Sequence, residues 1–276
     1  MKNSIWQKKG SLAEAYWNKG AAGFPVYDMH GHMGSHYAIY FKRCQAPEML
    51  AHLKRAGVKI LAFSHHDALW GSLRNQQVYE ICRQYPETLR FYLAINPHFP
   101  EHIKEDLAKF ESWRPLAIGL KLLSDYHRVP LSDPKYQYAL DFANERGLPV
   151  LCHTWGGSQY NGGPVMLQAA QKYKQAKFFM GHSIFGDWEY ARRCVQESHD
   201  NVWLELTAIP GERGIIEKLV TMVGSQRLLF GTDLPWFDEF QAIGGVLAAK
   251  ISEEDMKNIL WRNAEAILRE SGALNA

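Results

Sequence analysis

FPVYDMHGHM, residues 24–33, opens as an apolar run and closes on two histidines separated by one glycine. Seven further runs repeat the apolar part of that design. They are VKILAFSHH (58–66), LRFYLAINP (89–97), LAIGLKLL (116–123), LPVLCHTW (148–155), AKFFMGHS (176–183), NVWLELT (201–207) and QRLLFGTDLP (226–235). Most are near-continuously apolar and rich in Val, Ile, Leu, Phe or Tyr, the pattern of strands buried on both faces of a parallel sheet. Segments with apolar residues at three- and four-residue spacing lie between them, at 47–57, 76–87, 101–113, 136–147, 163–173 and 214–224. A final one, 252–270, starts at Ser252, a good N-cap, and lines up Met256, Ile259, Leu260, Ala264, Ile267 and Leu268 on one face. Eight strand–helix alternations predict an α/β protein of the (β/α)8 TIM-barrel type. The rival, an open doubly wound sheet, is weakened because no GxGxxG follows the first strand.

The 276 residues fit one such barrel, and a single domain over 1–276 is expected, with 1–23 as an N-terminal extension. Thirty-one basic residues nearly cancel 29 acidic ones, which argues against nucleic-acid binding through bulk charge. Cys44, Cys82, Cys152 and Cys194 are widely spaced without a CxxC, as in reduced thiols of a cytosolic protein. The N-terminus is polar, and no run approaches the ~20 apolar residues of a membrane helix, so a cytoplasmic protein with no membrane partner is expected. A homodimer is the commonest assembly for such a chain.

Seven of the twelve histidines fall at or just after the C-terminal end of a proposed strand: His30, His32, His65, His66, His98, His153 and His182. Asp233 and Lys121 end two more. In a (β/α)8 barrel all these ends meet on one face, where active sites lie. Residues i and i+2 of a strand share a side, roughly 6.6 Å apart. His30 and His32 are therefore placed to bind one metal ion, with Gly31 pointing away. Each remaining piece has a plainer reading alone: a hydrogen-bonded histidine for His153 or His182, a capping residue for Asp233. Their coincidence at one end of a barrel favours a shared metal site, since unrelated buried polar groups would each need partners.

DMHGH, GLK, LPVLCHT, MGHS, LLFGTD and the closing NILWRNAEAIL, in this order, resemble the amidohydrolase superfamily from about residue 26 to 270, and most of all its amidohydrolase-2 branch of metal-dependent hydrolases and decarboxylases. The resemblance implies one divalent ion, with zinc the first expectation. It implies His30, His32, His153 and Asp233 as metal ligands. Asp233 would also take a proton from metal-bound water, and His182 would act as acid/base or polarise the substrate. Lys121 stays open: carboxylated between two metals, binding a substrate carboxylate, or an interior ammonium in a salt bridge. His65, Asn96, Trp155 and Arg213 are further candidates for contact with a small-molecule substrate. His65 and His66 point to opposite faces, so at most one lines the site. The first functional expectation is hydrolysis of a C–N or C–O bond. The alternative is non-oxidative decarboxylation of an aromatic or enol acid. A non-catalytic metal-bearing barrel is disfavoured because it needs neither His182 nor Asp233. A TatD-like nuclease is disfavoured because Lys121 stands where a glutamate is usual.

Overall fold

A computed structural model describes residues 9–274. Eight strands run β1 Tyr27–Met33, β2 Ile60–His65, β3 Leu89–Ile95, β4 Ala117–Leu122, β5 Pro149–Trp155, β6 Lys177–Phe185, β7 Val202–Glu205 and β8 Leu228–Leu229. They pair in parallel and in sequence order. The ring is drawn shut between its ends by Met29 N–H to Phe230 O (2.9 Å) and a bridge between Gly31 and Leu234. The α/β (β/α)8 TIM barrel expected from the apolar runs is the fold.

The helices are α1 Leu12–Lys19, α2 Ala46–Ala56, α3 His66–Trp70, α4 Asn75–Cys82, α5 Pro100–Trp113, α6 Gln137–Arg146, α7 Gly163–Lys172, α8 Trp188–Gln196, α9 Ile215–Val223, α10 Glu239–Ala248, α11 Glu253–Lys257 and α12 Asn263–Glu270, the last two joined by a π turn over Asn258–Arg262. Ser252 caps α11 in a capping box with Asp255. α2 stops at Gly57, whose φ of 85° suits glycine. Helices α1, α3, α8 and α10 were not anticipated. α10 carries the Gly244–Gly245 pair, which lowers helix propensity, yet it buries Ala242, Ile243, Val246 and Leu247. In α8 the stripe Ala191, Cys194, Val195 is hidden among charges. α4 ends earlier than its periodicity suggested, short of Pro86.

Inward-facing strand residues make the floor of the barrel: Tyr27, Met29, Ile60, Ala62, Tyr92, Ile118, Leu151, Phe179 and Leu229. Ala264, Ile267 and Leu268 of α12 plug it from below. Each large side chain fully buried there contributes about 1.5–3 kcal/mol. With the bottom sealed, the polar residues of the upper layer face only the C-terminal mouth. Among the described residues no helix is long and apolar enough to cross a membrane. All four cysteines are free thiols, three of them buried.

The loop that follows β8 is fastened to α2. His52 Nε2 lies 2.9 Å from Asp238 Oδ2 and 2.8 Å from Glu239 Oε2, and the Arg43 guanidinium approaches His52 Nδ1 at 3.2 Å. The hydrogen bond to Glu239 raises the His52 pKa above the ordinary 6.5; burial opposes this, Asp238 adds to it and Arg43 subtracts. A raised folded-state value means that stability is fully present below the unfolded value and lost as pH rises through the folded one. His52→Gln should therefore lower Tm more at about pH 6 than at about pH 9. Calorimetry at the two pH values checks this, and a pH-independent gap contradicts it.

Candidate metal centre

A register shift between Asp28 and Gly31 turns the end of β1 inward. It places His30 and His32, both buried, beside Asp233 from the loop after β8. His30 Nε2 is 3.3 Å and His32 Nε2 3.0 Å from Asp233 Oδ1. Asp233 has φ 61°, in the left-handed region. It is held there by its own N–H on His30 O at 2.6 Å and by Trp236 N–H on its carbonyl at 2.7 Å. Asp28 ties the same loop to β1 by accepting from the Thr232 hydroxyl at 2.5 Å and from His30 N–H at 3.0 Å. Room for the imidazole comes from two glycines. A Cβ at Gly181 would meet His30 Cε1 at 3.1 Å, and one at Gly231 would meet His30 Cβ at 2.8 Å.

The far nitrogens of the pair are occupied. His30 Nδ1 sits 2.7 Å from Glu205 Oε2, and His32 Nδ1 3.1 Å from Ser64 Oγ. With the Nδ1 protons placed on those partners, two Nε2 lone pairs and a carboxylate oxygen converge on one point. Asp233 Oδ1 is buried and accepts no hydrogen bond. Such a meeting of acceptors calls for a cation. The Lys121 ammonium, 2.8 Å from His30 Nε2, takes that place at one of the donors, and a divalent ion would displace it to answer all three. Burial pushes the His30 and His32 pKa values below the ordinary range. Burial alone would raise Asp233, but His30, His32 and His182 reverse this and hold it well below the usual carboxylate range. Neutral imidazoles and an ionised carboxylate are the ligating forms. The residues therefore fit a divalent metal.

His153 and His182 face the trio. His182, Ser183 and Ile184 have φ of 63°, 52° and 56°, an unusual left-handed run. Each such non-glycine residue costs about 1–3 kcal/mol. The run is fastened by Ser183 Oγ on Glu205 O (2.8 Å) and by Ile184 N–H on Thr154 Oγ1 (2.9 Å). It turns His182 into the cavity. Three of the four expected ligands come together, their donor atoms within 4.8 Å of one another. His153 stands one ring away: His182 Nε2 lies 3.1 Å from its Nδ1 and Asp125 Oδ2 3.4 Å from its Nε2, so both of its nitrogens are already engaged.

A cavity of about 240 Å3 opens above, walled by Trp70, Tyr126, Trp155, Trp236 and Phe237 together with His32, His36, His66, His153, His182 and Asp233. Of the candidates for substrate contact only Trp155 lines it. Lys121 is fully buried below His30, and burial lowers its pKa to about 8. His65 lies behind Gly34, where it accepts Asp67 N–H at 3.2 Å. The cavity histidine of the doublet is His66. It stacks on His32 at 4.7 Å, its Nδ1 lies 3.0 Å from Gly34 O, and its Nε2 accepts from Trp236 Nε1 at 3.3 Å. Asn96 is spent on the backbone, donating to Leu69 O at 2.9 Å and accepting His98 N–H at 3.0 Å. Arg213 is exposed on the loop after β7, away from the cavity wall. Sequence reasoning passed over Glu205, although a carboxylate within the apolar run NVWLELT was a readable signal. Burial pushes the Glu205 carboxyl upward, against the hydrogen bonds of Thr207 and His182 that favour its ionised form.

The family model described as "Amidohydrolase" matches residues 27–269. No curated protein matches the chain. Among solved structures, the dihydroxybenzoic acid decarboxylase of a Polaromonas species, with bound manganese and the inhibitor 2-nitroresorcinol, is similar at TM-score 0.71 and 15% identity, covering 90% of this chain and 97% of its own. The 5-carboxyvanillate decarboxylase of Novosphingobium aromaticivorans, complexed with manganese and 4-hydroxy-3-methoxy-5-nitrobenzoic acid, gives TM-score 0.69, 14% identity and coverage of 90% and 96%. A putative amidohydrolase from Staphylococcus aureus gives TM-score 0.65, 14% identity and coverage of 89% and 99%. At these identities the likeness is one of fold.

Manganese at about 100 times its dissociation constant should stabilise the protein by about 2.7 kcal/mol, seen as a rise of several degrees in Tm. Chelator should reverse the rise, and Asp233→Ala should abolish it. An equal rise in the variant would place the ion elsewhere.

Proposed function

The chain belongs to the amidohydrolase family, and we propose that it is a metal-dependent, non-oxidative decarboxylase of a small aromatic carboxylic acid. The observation that carries this reading is the cavity itself. Trp70, Tyr126, Trp155, Trp236 and Phe237 wall a space of about 240 Å3, directly above His30, His32 and Asp233. Flat aromatic walls suit a flat aromatic guest. They also favour loss of the carboxylate charge as neutral CO2, because an apolar surround is a poor solvent for an anion. Hydrolysis, the first expectation from the sequence, would use the same donors to activate water. The cavity and the decarboxylases among the similar structures support the alternative better.

His30, His32 and Asp233 would hold the ion; His153 would join them only by releasing its contact with His182 or Asp125. Once bound, the ion supplies positive charge that orients the substrate carboxylate and steadies electron density in the ring. The rest falls to the chain. His66, stacked on His32 and fixed by Gly34 and Trp236, sets one wall. Asp233, ionised at rest, takes the proton of a substrate hydroxyl and returns it to the ring carbon that bears the carboxylate. The C–C bond to the carboxylate then breaks, its electron pair returns to the ring, and CO2 leaves. His182, hydrogen-bonded to His153, is placed to pass a replacement proton. Zinc and manganese both suit two imidazoles and a carboxylate; the similar decarboxylases hold manganese.

Manganese- and zinc-loaded protein incubated with a panel of hydroxybenzoates is expected to release CO2 and the matching phenol. In deuterated water, deuterium should appear at the vacated carbon. Asp233→Asn should lower kcat by about 100-fold or more. Cleavage of lactones or amides with no CO2 from any aromatic acid would return the reading to hydrolysis.

A further inference from the structure

Glu205 ends β7 and is fully buried, and it accepts three hydrogen bonds besides its contact with His30. Oε1 accepts the Thr207 N–H at 2.7 Å and the Thr207 hydroxyl at 2.5 Å. Oε2 lies 2.7 Å from His30 Nδ1 and accepts the backbone N–H of His182 at 3.3 Å. The two Thr207 donors fix the rotation of the carboxylate, so Oε2 has to face β1. The space it occupies exists because residue 231 is glycine: a Cβ there would stand 2.1 Å from Glu205 Oε1. One side chain thus touches His30 on β1, His182 on β6 and the loop after its own strand.

We propose that Glu205 is the positioning residue of the metal centre, locking His30 in the tautomer whose Nε2 lone pair faces the ion and making that nitrogen the stronger donor of the pair. The inference rests on the metal reading above. A neutral imidazole whose far N–H is held by a carboxylate is better oriented and more basic than one held by a hydroxyl. His30 has that carboxylate, while His32 has only the Ser64 hydroxyl at 3.1 Å. A glutamine at 205 cannot replace the carboxylate. If its oxygen serves His30, its amide must point donor against donor at Thr207; if it is flipped, His30 loses its acceptor.

The test is titration of the purified protein with manganese chloride, followed through the paramagnetic signal of free Mn2+. Glu205→Gln should bind manganese about 10- to 100-fold more weakly, and Ser64→Ala should lose less than Glu205→Gln. At saturating manganese, kcat of Glu205→Gln should recover to within a few-fold, separating metal affinity from the chemical step. A melting curve shows whether the variant is folded. Should it not fold, Thr207→Val, which keeps the carboxylate but removes one of the two donors that fix its rotation, is expected to weaken manganese binding several-fold. Wild-type affinity in folded Glu205→Gln, or in Thr207→Val where the first does not fold, would overturn the inference. So would a Ser64→Ala loss as large as that of Glu205→Gln. A wild-type protein that binds manganese but releases no CO2 would remove the decarboxylase reading and leave this one standing.

Discussion

His30 is fully buried. Both ring nitrogens are fully buried, so the protein must answer each of them, and much of the upper barrel is arranged around that demand. Nδ1 is met by Glu205. Nε2 is met from below by Lys121 and lies 3.3 Å from a carboxylate oxygen that has no donor of its own. The register shift in β1, the glycines at 181 and 231 and the left-handed Asp233 all serve this one ring. Remove any of them and either the ring does not fit or the carboxylate does not reach it. The strain at 182–184 and at Asp233 belongs to the same arrangement, since strained backbone persists where the surrounding structure over-determines it.

Sequence showed the barrel because each strand is buried on both faces, and such strands are hard to write except as apolar runs. It showed fewer of the helices. α10 tolerates Gly244 and Gly245 because packing of Ile243, Val246 and Leu247 outweighs propensity, and propensity is what a one-dimensional reading sees. His30, His32, His182 and Asp233 were legible because each follows directly on the apolar run of its strand. His66 was not singled out over His65, because the choice depends on where β2 stops: the strand ends at His65 and a helix starts at His66, which turns the second ring into the cavity. Asn96 has the right residue type at a strand end, but neighbouring backbone takes up its amide. Lys121 lies on a site strand but one layer too deep for a substrate. Glu205 was missed because a charge inside a strand reads as an irregularity until the histidine it serves is seen across the barrel.

The cavity and the donor cluster share side chains. His32 carries a lone pair toward Asp233 and presents its ring to His66. Trp236 forms wall and also donates to His66. Specificity and chemistry are therefore coupled: a change of wall shifts His66, and His66 bears on His32. The loop carrying Trp236 and Phe237 is in turn pinned to α2 by His52, Asp238 and Glu239, so the shape of the mouth depends on an ion-paired histidine outside it.

That last cluster also supplies the contrast for the decisive measurement, because His52, Asp238 and Glu239 likewise bring three potential donors within 4.8 Å. Diffraction data collected at the manganese absorption edge from crystals grown with manganese would locate the ion directly. One anomalous peak is expected between His30 Nε2, His32 Nε2 and Asp233 Oδ1. A crystal whose only peak lies at His52, Asp238 and Glu239, or that shows no peak at His30, would contradict it.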